Sequence, residues 1–188
     1  RQQGDSVLHG VSVGLSAGLM RNEQTVLLEG RGAENHTNGL TIAGEQEHLD
    51  FATDIEHIAS DCTSYQLFKG LGADGGTSVF SGRIYVAQDA QRTQAFQQNN
   101  NLLLSDDAHV YAKPQLEIYA DNVKCSHGAT VGQLDPEAIY YMRQRGIGLE
   151  DARRLQMYGF VLDVLGESRV EEMNELFDRE IASKIEGL

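Results

Sequence analysis

The chain has 188 residues, 40% of them apolar, which is room for one domain with a helical appendage and enough for a real core. A formal charge of −13 leaves no surplus of Lys and Arg to displace phosphate counterions, which argues against nucleic acid and anionic membrane as partners. Two widely separated cysteines, Cys62 and Cys125, make no disulfide framework, and no signal peptide or long apolar run is visible, so a reducing cytoplasm is the expected setting. The sequence starts at Arg1 without an initiator Met, and Val7 onward already reads as strand. A β region trimmed at its N-terminal side is expected.

Residues 1–134 are β-rich. Short apolar or alternating runs occur at Val11–Leu15, Thr25–Leu28, Leu40–Ile42, His57–Ala59 and Ser64–Phe68, then at Ser78–Phe80, Arg83–Val86 and Leu116–Tyr119. Turn-formers separate them at Gly30–Gly32, Asn38-Gly39, Gly72–Gly76, Asn99–Asn101 and Asp121-Asn122. Residues 46–60 are the ambiguous stretch, because EQEHLDFATDIEHI also fits a helix. Many short strands with polar corners fit a sandwich, a barrel or a β-helix. Two details favour the β-helix: the polar run Gln97–Asn101 suits solenoid corners, and strong hairpin turns are missing.

After Leu134 the pattern changes to helix. Asp135 is a good N-cap, Pro136 fits the first helical position, Glu137 suits the positive end of the dipole, and Gly146 is a natural stop. A second helix is expected from about Glu150 to Gly166, with Leu155, Tyr158, Leu162 and Leu165 at 3–4 spacing. A third is expected from about Glu167, with Val170, Met173, Phe177, Ile181 and Ile185 on one face and Glu171, Glu175, Asp178 and Lys184 opposite. The chain therefore divides into a β region, 1–134, and a helical region, 135–188.

The most informative chemical pair is Cys125 and His127. On a strand, positions i and i+2 point to one face, so thiol and imidazole sit side by side, as a soft metal or a sulfur-transfer step requires. Two ligands are too few for a closed zinc site, so any metal at His127 needs donors from elsewhere, such as a partner chain. A half-buried Cys beside a surface His on an edge strand explains the same spacing. His48 and His57, each following a Glu, read as surface residues. Asp106-Asp107 reads as turn or cap, since adjacent strand residues face opposite ways and cannot share a glycan substrate. Gly70–Gly76 lacks a phosphate-loop ending and reads as a flexible loop. No nucleophile or zinc-protease motif appears.

The string Cys125-Ser126-His127-Gly128-Ala129-Thr130-Val131-Gly132, followed by Asp135–Gly146, strongly resembles the SufB/SufD family of the SUF iron–sulfur assembly system. Glu23–Leu27, His36–Leu40 and Phe80–Ile84 resemble it too, so the likeness runs nearly the whole length. It implies a right-handed parallel β-helix followed by a C-terminal helical region. It also implies a non-catalytic scaffold that pairs with a SufB-like paralogue through the β-helix and docks a SufC-like ATPase through the helices. A nascent iron–sulfur cluster at the partner interface is implied, with no tightly bound cofactor. On this resemblance His127, with Cys125, belongs to the cluster-assembly interface, and Tyr158, Leu162, Met173 and Phe177 are the expected partner-docking residues. SufB-like members tend to read Glu-His-Glu-Ala-Thr where this chain has Ser126–Thr130, and they carry a cysteine near the Gln97–Leu104 stretch, which here has none. Both departures favour the SufD-like branch and a chain that supplies half a site. Two other readings compete: a secreted-type β-helix carbohydrate-active enzyme, and a purely structural, dimerising β-solenoid. Self-pairing of the isolated piece is a further expectation, because sheet edges seek cover.

Overall fold

A computed structural model describes residues 1–166 and 170–188. Nine strands come first: β1 (Val7–Gly14), β2 (Leu19–Leu28), β3 (Glu34–Ala43), β4 (His48–His57), β5 (Thr63–Gly72), β6 (Thr77–Val86), β7 (Gln94–Leu103), β8 (His109–Ile118) and β9 (Lys124–Gly132). Odd strands make one sheet, β1-β3-β5-β7-β9, and even strands the other, β2-β4-β6-β8. Every pairing between them is parallel. The result is a two-sheet β-solenoid of about four turns. Val7 pairs with Glu34, 27 residues on, whereas Thr77 pairs with His109, 32 residues on. That drift in turn length is why no strict repeat shows in the sequence.

Residues 48–57, the ambiguous stretch, are strand β4, because Leu49, Phe51 and Ile55 alternate into the interior. Three expectations about turns and loops are corrected. Asn38-Gly39 lies inside β3 rather than in a turn. Gly39 is needed there for close approach, since a Cβ would sit 2.3 Å from the Phe68 ring. Gln97–Asn101 is the middle of β7, not a corner. Gln97, Asn99 and Asn101 point inward and are buried, and their amides find internal partners. Asn101 Nδ2 donates to Asn99 Oδ1 at 2.7 Å and to the Thr130 carbonyl at 3.1 Å; Asn99 Nδ2 donates to the Phe68 carbonyl at 3.3 Å. The corners are made instead by residues such as Asp61, Asp74 and Arg92, all with positive φ, together with Gly32 and Gly75. The run Gly70–Gly76 is accordingly not one flexible loop: its first three residues end β5 and the rest form a tight turn.

Apolar packing is divided along the strands. Val26, Leu28, Ile55, Cys62, Ile84, Val86 and Ala95 fill the corner where even strands turn into odd ones. Phe51, Phe68 and Phe80 stack through the middle, with centroids 5.6 and 4.7 Å apart. A third cluster lies outside the solenoid, on the back of the odd-strand sheet, and it seats the helices.

Three helices follow: α1 (Pro136–Gln144), α2 (Leu149–Leu165) and α3 (Glu171–Glu186). Asp135 caps α1 by accepting from the Glu137 amide at 2.9 Å, and Gly146 follows in the left-handed region. The expected start of the third helix at Glu167 falls outside the described residues. Met157, Val161, Val164 and Leu165 of α2 and Ile181 and Ile185 of α3 pack on Leu40, Ile42 and Leu71. The buried face of α2 is therefore not the expected stripe: Leu155 and Leu162 stay exposed. Lysines fasten the helices down. The buried Lys69 of β5 donates to Asp163 at 2.6 Å and to the Phe160 carbonyl at 2.7 Å. Lys184, expected on the solvent face, instead donates to Glu47 at 2.7 Å under the helix.

Candidate functional site

Strand β9 pairs with β7 on one side only, and β8 is likewise the last strand of its sheet. The backbone donors and acceptors on the far edges of both strands are unpaired, which makes this end of the solenoid a template for another strand. Cys125 and His127 both lie on β9. Their register partners, Ala95 and Gln97, are inward-facing and buried, so both side chains point to the inner side of the last turn.

The two differ in setting. Cys125 is half-buried against the corner cluster, and that burial pushes its thiol above the ordinary range. At neutral pH it is a protonated thiol, not an activated thiolate. His127 is exposed. Together they offer one sulfur and one nitrogen donor, and among the described residues no group of three or more His, Cys, Asp and Glu is gathered to hold a metal. The chemistry available is to present a borderline nitrogen ligand, with a thiol beside it, at an edge that another chain can complete.

The other candidates are dispersed. His57 is fully buried, not a surface residue. Its Nε2 lies 2.8 Å from Ser64 Oγ, its Nδ1 has no partner, and burial lowers its pKa to about 4. His36 stacks between His9 and Tyr65 on the outer face, and Tyr65 in turn stacks on Phe96. This aromatic row borders an open groove of about 600 Å³ whose lining also includes Gln97, Ser126, His127 and Gly128. Asp107 accepts from Ser105 at 2.6 Å in a turn, as expected.

The expected docking residues fall into two classes. Tyr158 and Phe177 lean on the helix–solenoid cluster, and the Tyr158 hydroxyl donates to Asp178. Burial and that carboxylate push its pKa up to about 12. Leu162 and Met173 remain exposed, as do Leu155, Val170 and Leu176.

One constellation was not anticipated. Thr37, Gln66, Gln97 and His127 occupy one register column on the inside of the odd-strand sheet. Polar residues at alternate positions of Gln97–Asn101 were the available signal.

The whole-chain comparison fits this geometry. Residues 1–160 match the family model described as SUF system FeS cluster assembly, SufBD core domain. The chain belongs to the SufBD family. It is 40% identical over 173 residues to the iron–sulfur cluster assembly protein SufD of Escherichia coli, covering 92% of this chain. It is 39% identical over 159 residues to a SufBD family protein of Synechocystis, and 32% identical over 164 residues to SufD of Bacillus subtilis, covering 82% and 87% of this chain. The chain spans 41%, 34% and 38% of those relatives' lengths. Among the described residues no helix is long and apolar enough to cross a membrane.

Proposed function

We propose that this chain is the solenoid and helical portion of a SufD-type, non-catalytic scaffold subunit for iron–sulfur cluster assembly in the cytoplasm. The observation that carries the reading is the Cys125–His127 pair on the unpaired edge of the last turn of a SufBD-family solenoid. In this reading a SufB-like paralogue meets the edges of β8 and β9, and His127 contributes one nitrogen ligand to the nascent cluster, which is cargo and not a resident cofactor. Cys125 sits beside it as a protonated thiol and supplies sulfur ligation only once deprotonated. The remaining donors come from the partner.

The helical region supplies the second contact. The exposed Leu155, Leu162, Met173 and Leu176 on helices anchored by buried neighbours make a firmly held apolar surface for a SufC-like ATPase. The full-length protein mixed with SufB-type and SufC-type partners gives one stable complex on a sizing column. His127→Ala leaves that complex and the fold intact but abolishes SUF-dependent growth. Absence of any association, or unimpaired growth of the His127→Ala strain, sinks the reading.

A further inference from the structure

In the column Thr37, Gln66, Gln97, His127, successive residues sit about 4.8 Å apart on neighbouring strands with their side chains on one face. Gln97 is 3% exposed. Its Nε2 donates to Gln66 Oε1 at 2.5 Å on the preceding rung, whereas its Oε1, like Gln66 Nε2, is buried with no partner among the described residues. A buried amide oxygen without a donor is costly, so one left in place calls for a reason. The carboxamide is also confined. Gly82, on the facing β6, leaves just the room it occupies, since a Cβ there would lie 2.4 Å from Gln97 Nε2. With the amide nitrogen committed to Gln66, the oxygen is the atom left over, and the neighbour of Gln97 on the next rung of the column is His127.

We propose that Gln97 is the positioning residue of His127. Its Oε1 accepts the N–H of one imidazole nitrogen, which fixes the tautomer and presents the lone pair of the other nitrogen at the open end of the solenoid. This is the outer-shell arrangement that metal-ligating histidines require, here built from a buried amide instead of a carboxylate. The inference rests on the reading of His127 as a ligand of the assembling cluster, yet its geometric half is testable without any cluster.

The test uses full-length protein in complex with its partners. The His127 ring is followed by ¹⁵N NMR, assigned through the signal lost in His127→Ala, and growth is scored in parallel. Wild type shows one dominant tautomer. Gln97→Met yields the mixed tautomers of a free imidazole and lowers cluster assembly about tenfold. Gln97→Glu keeps an acceptor, so it retains one dominant tautomer and assembly. Thr37→Val, a buried polar change two rungs before Gln97 in the same column, serves as the control for a merely structural role. Equal losses in Thr37→Val and Gln97→Met, or mixed tautomers in Gln97→Glu, overturn the proposal. A normal Gln97→Met strain beside a dead His127→Ala strain overturns this inference alone, whereas a healthy His127→Ala strain overturns the functional reading itself.

Discussion

Lowering the pH should destabilise this solenoid through His57, and the size of the effect follows from its burial. The ring is fully enclosed at the apolar corner, held through Nε2 by Ser64, with a folded-state pKa of about 4 against an ordinary 6.5. Above 6.5 the ring is neutral in both states and contributes no pH dependence. As pH falls through 6.5 the unfolded chain takes up a proton that the folded chain refuses until about 4, so stability drops. The loss is about 1 kcal/mol at about pH 5.5 and levels off at about 3 kcal/mol below about pH 4. Urea unfolding at about pH 7.5, 6.5 and 5.5 measures it, and stopping there keeps the protein above its pI of about 4.7, where net charge still holds it in solution. Carboxylates also titrate, so the decisive quantity is the difference from His57→Gln, which keeps a hydrogen-bonding group toward Ser64 but cannot charge. The variant starts less stable than wild type, and the gap narrows by about 1 kcal/mol between about pH 7.5 and 5.5. A gap that stays constant within about 0.3 kcal/mol across that range refutes the burial argument.

The remaining predictions concern the helical region. Ile181→Ala, at a fully buried position between α3 and the solenoid, costs about 2–5 kcal/mol in urea unfolding. Met173→Asp and Leu162→Asp, at exposed positions, change stability by less than about 0.5 kcal/mol but weaken ATPase docking in a pull-down. Loss of stability with docking intact refutes their assignment. Phe177→Asp does both to a lesser extent, because that ring is partly buried in the cluster under α3. Lys69→Met leaves the Phe160 carbonyl without its lysine donor and loosens α2, which shows as faster amide exchange in α2 than in β5.

Most of the architecture was legible in the sequence, and where it was not, the cause is specific. The helices announced themselves through Asp135, Pro136 and Gly146, whose roles are local and so are visible without tertiary context. The strands appeared only as fragments. In β3 and β5 the outer face is covered by helices, so Leu40, Ile42 and Leu71 break the alternation that a half-exposed strand displays. Gln97, Asn99 and Asn101 looked like a corner because buried amides are rare; a solenoid tolerates them by pairing each with the rung beside it. The same logic hid His57, whose neighbouring glutamate suggested surface while its own side chain fell on the inward parity of β4. At the candidate site, the i, i+2 spacing of Cys125 and His127 was readable, and an edge strand with a half-buried Cys and a surface His was one of its explanations, but Gln97 behind them was not readable. Its place depends on a strand pairing 30 residues away.

The position of β9 at the end of the stack has a consequence for when the site exists. Solenoids behave like one-dimensional zippers, in which each rung draws its stability from the rungs on either side. Strands β3, β5 and β7 each have two such neighbours, while β9 has one. The last rung therefore opens with less free energy than those two-neighboured rungs, so the strand that carries Cys125 and His127 spends more time unzipped than β3, β5 or β7. A second chain laid along that edge supplies the absent neighbour. In the proposed assembly the strand that carries Cys125 and His127 is thus held firmly only once the partner is in place, which would keep a thiol and an imidazole from being presented as a rigid pair to stray metal ions beforehand.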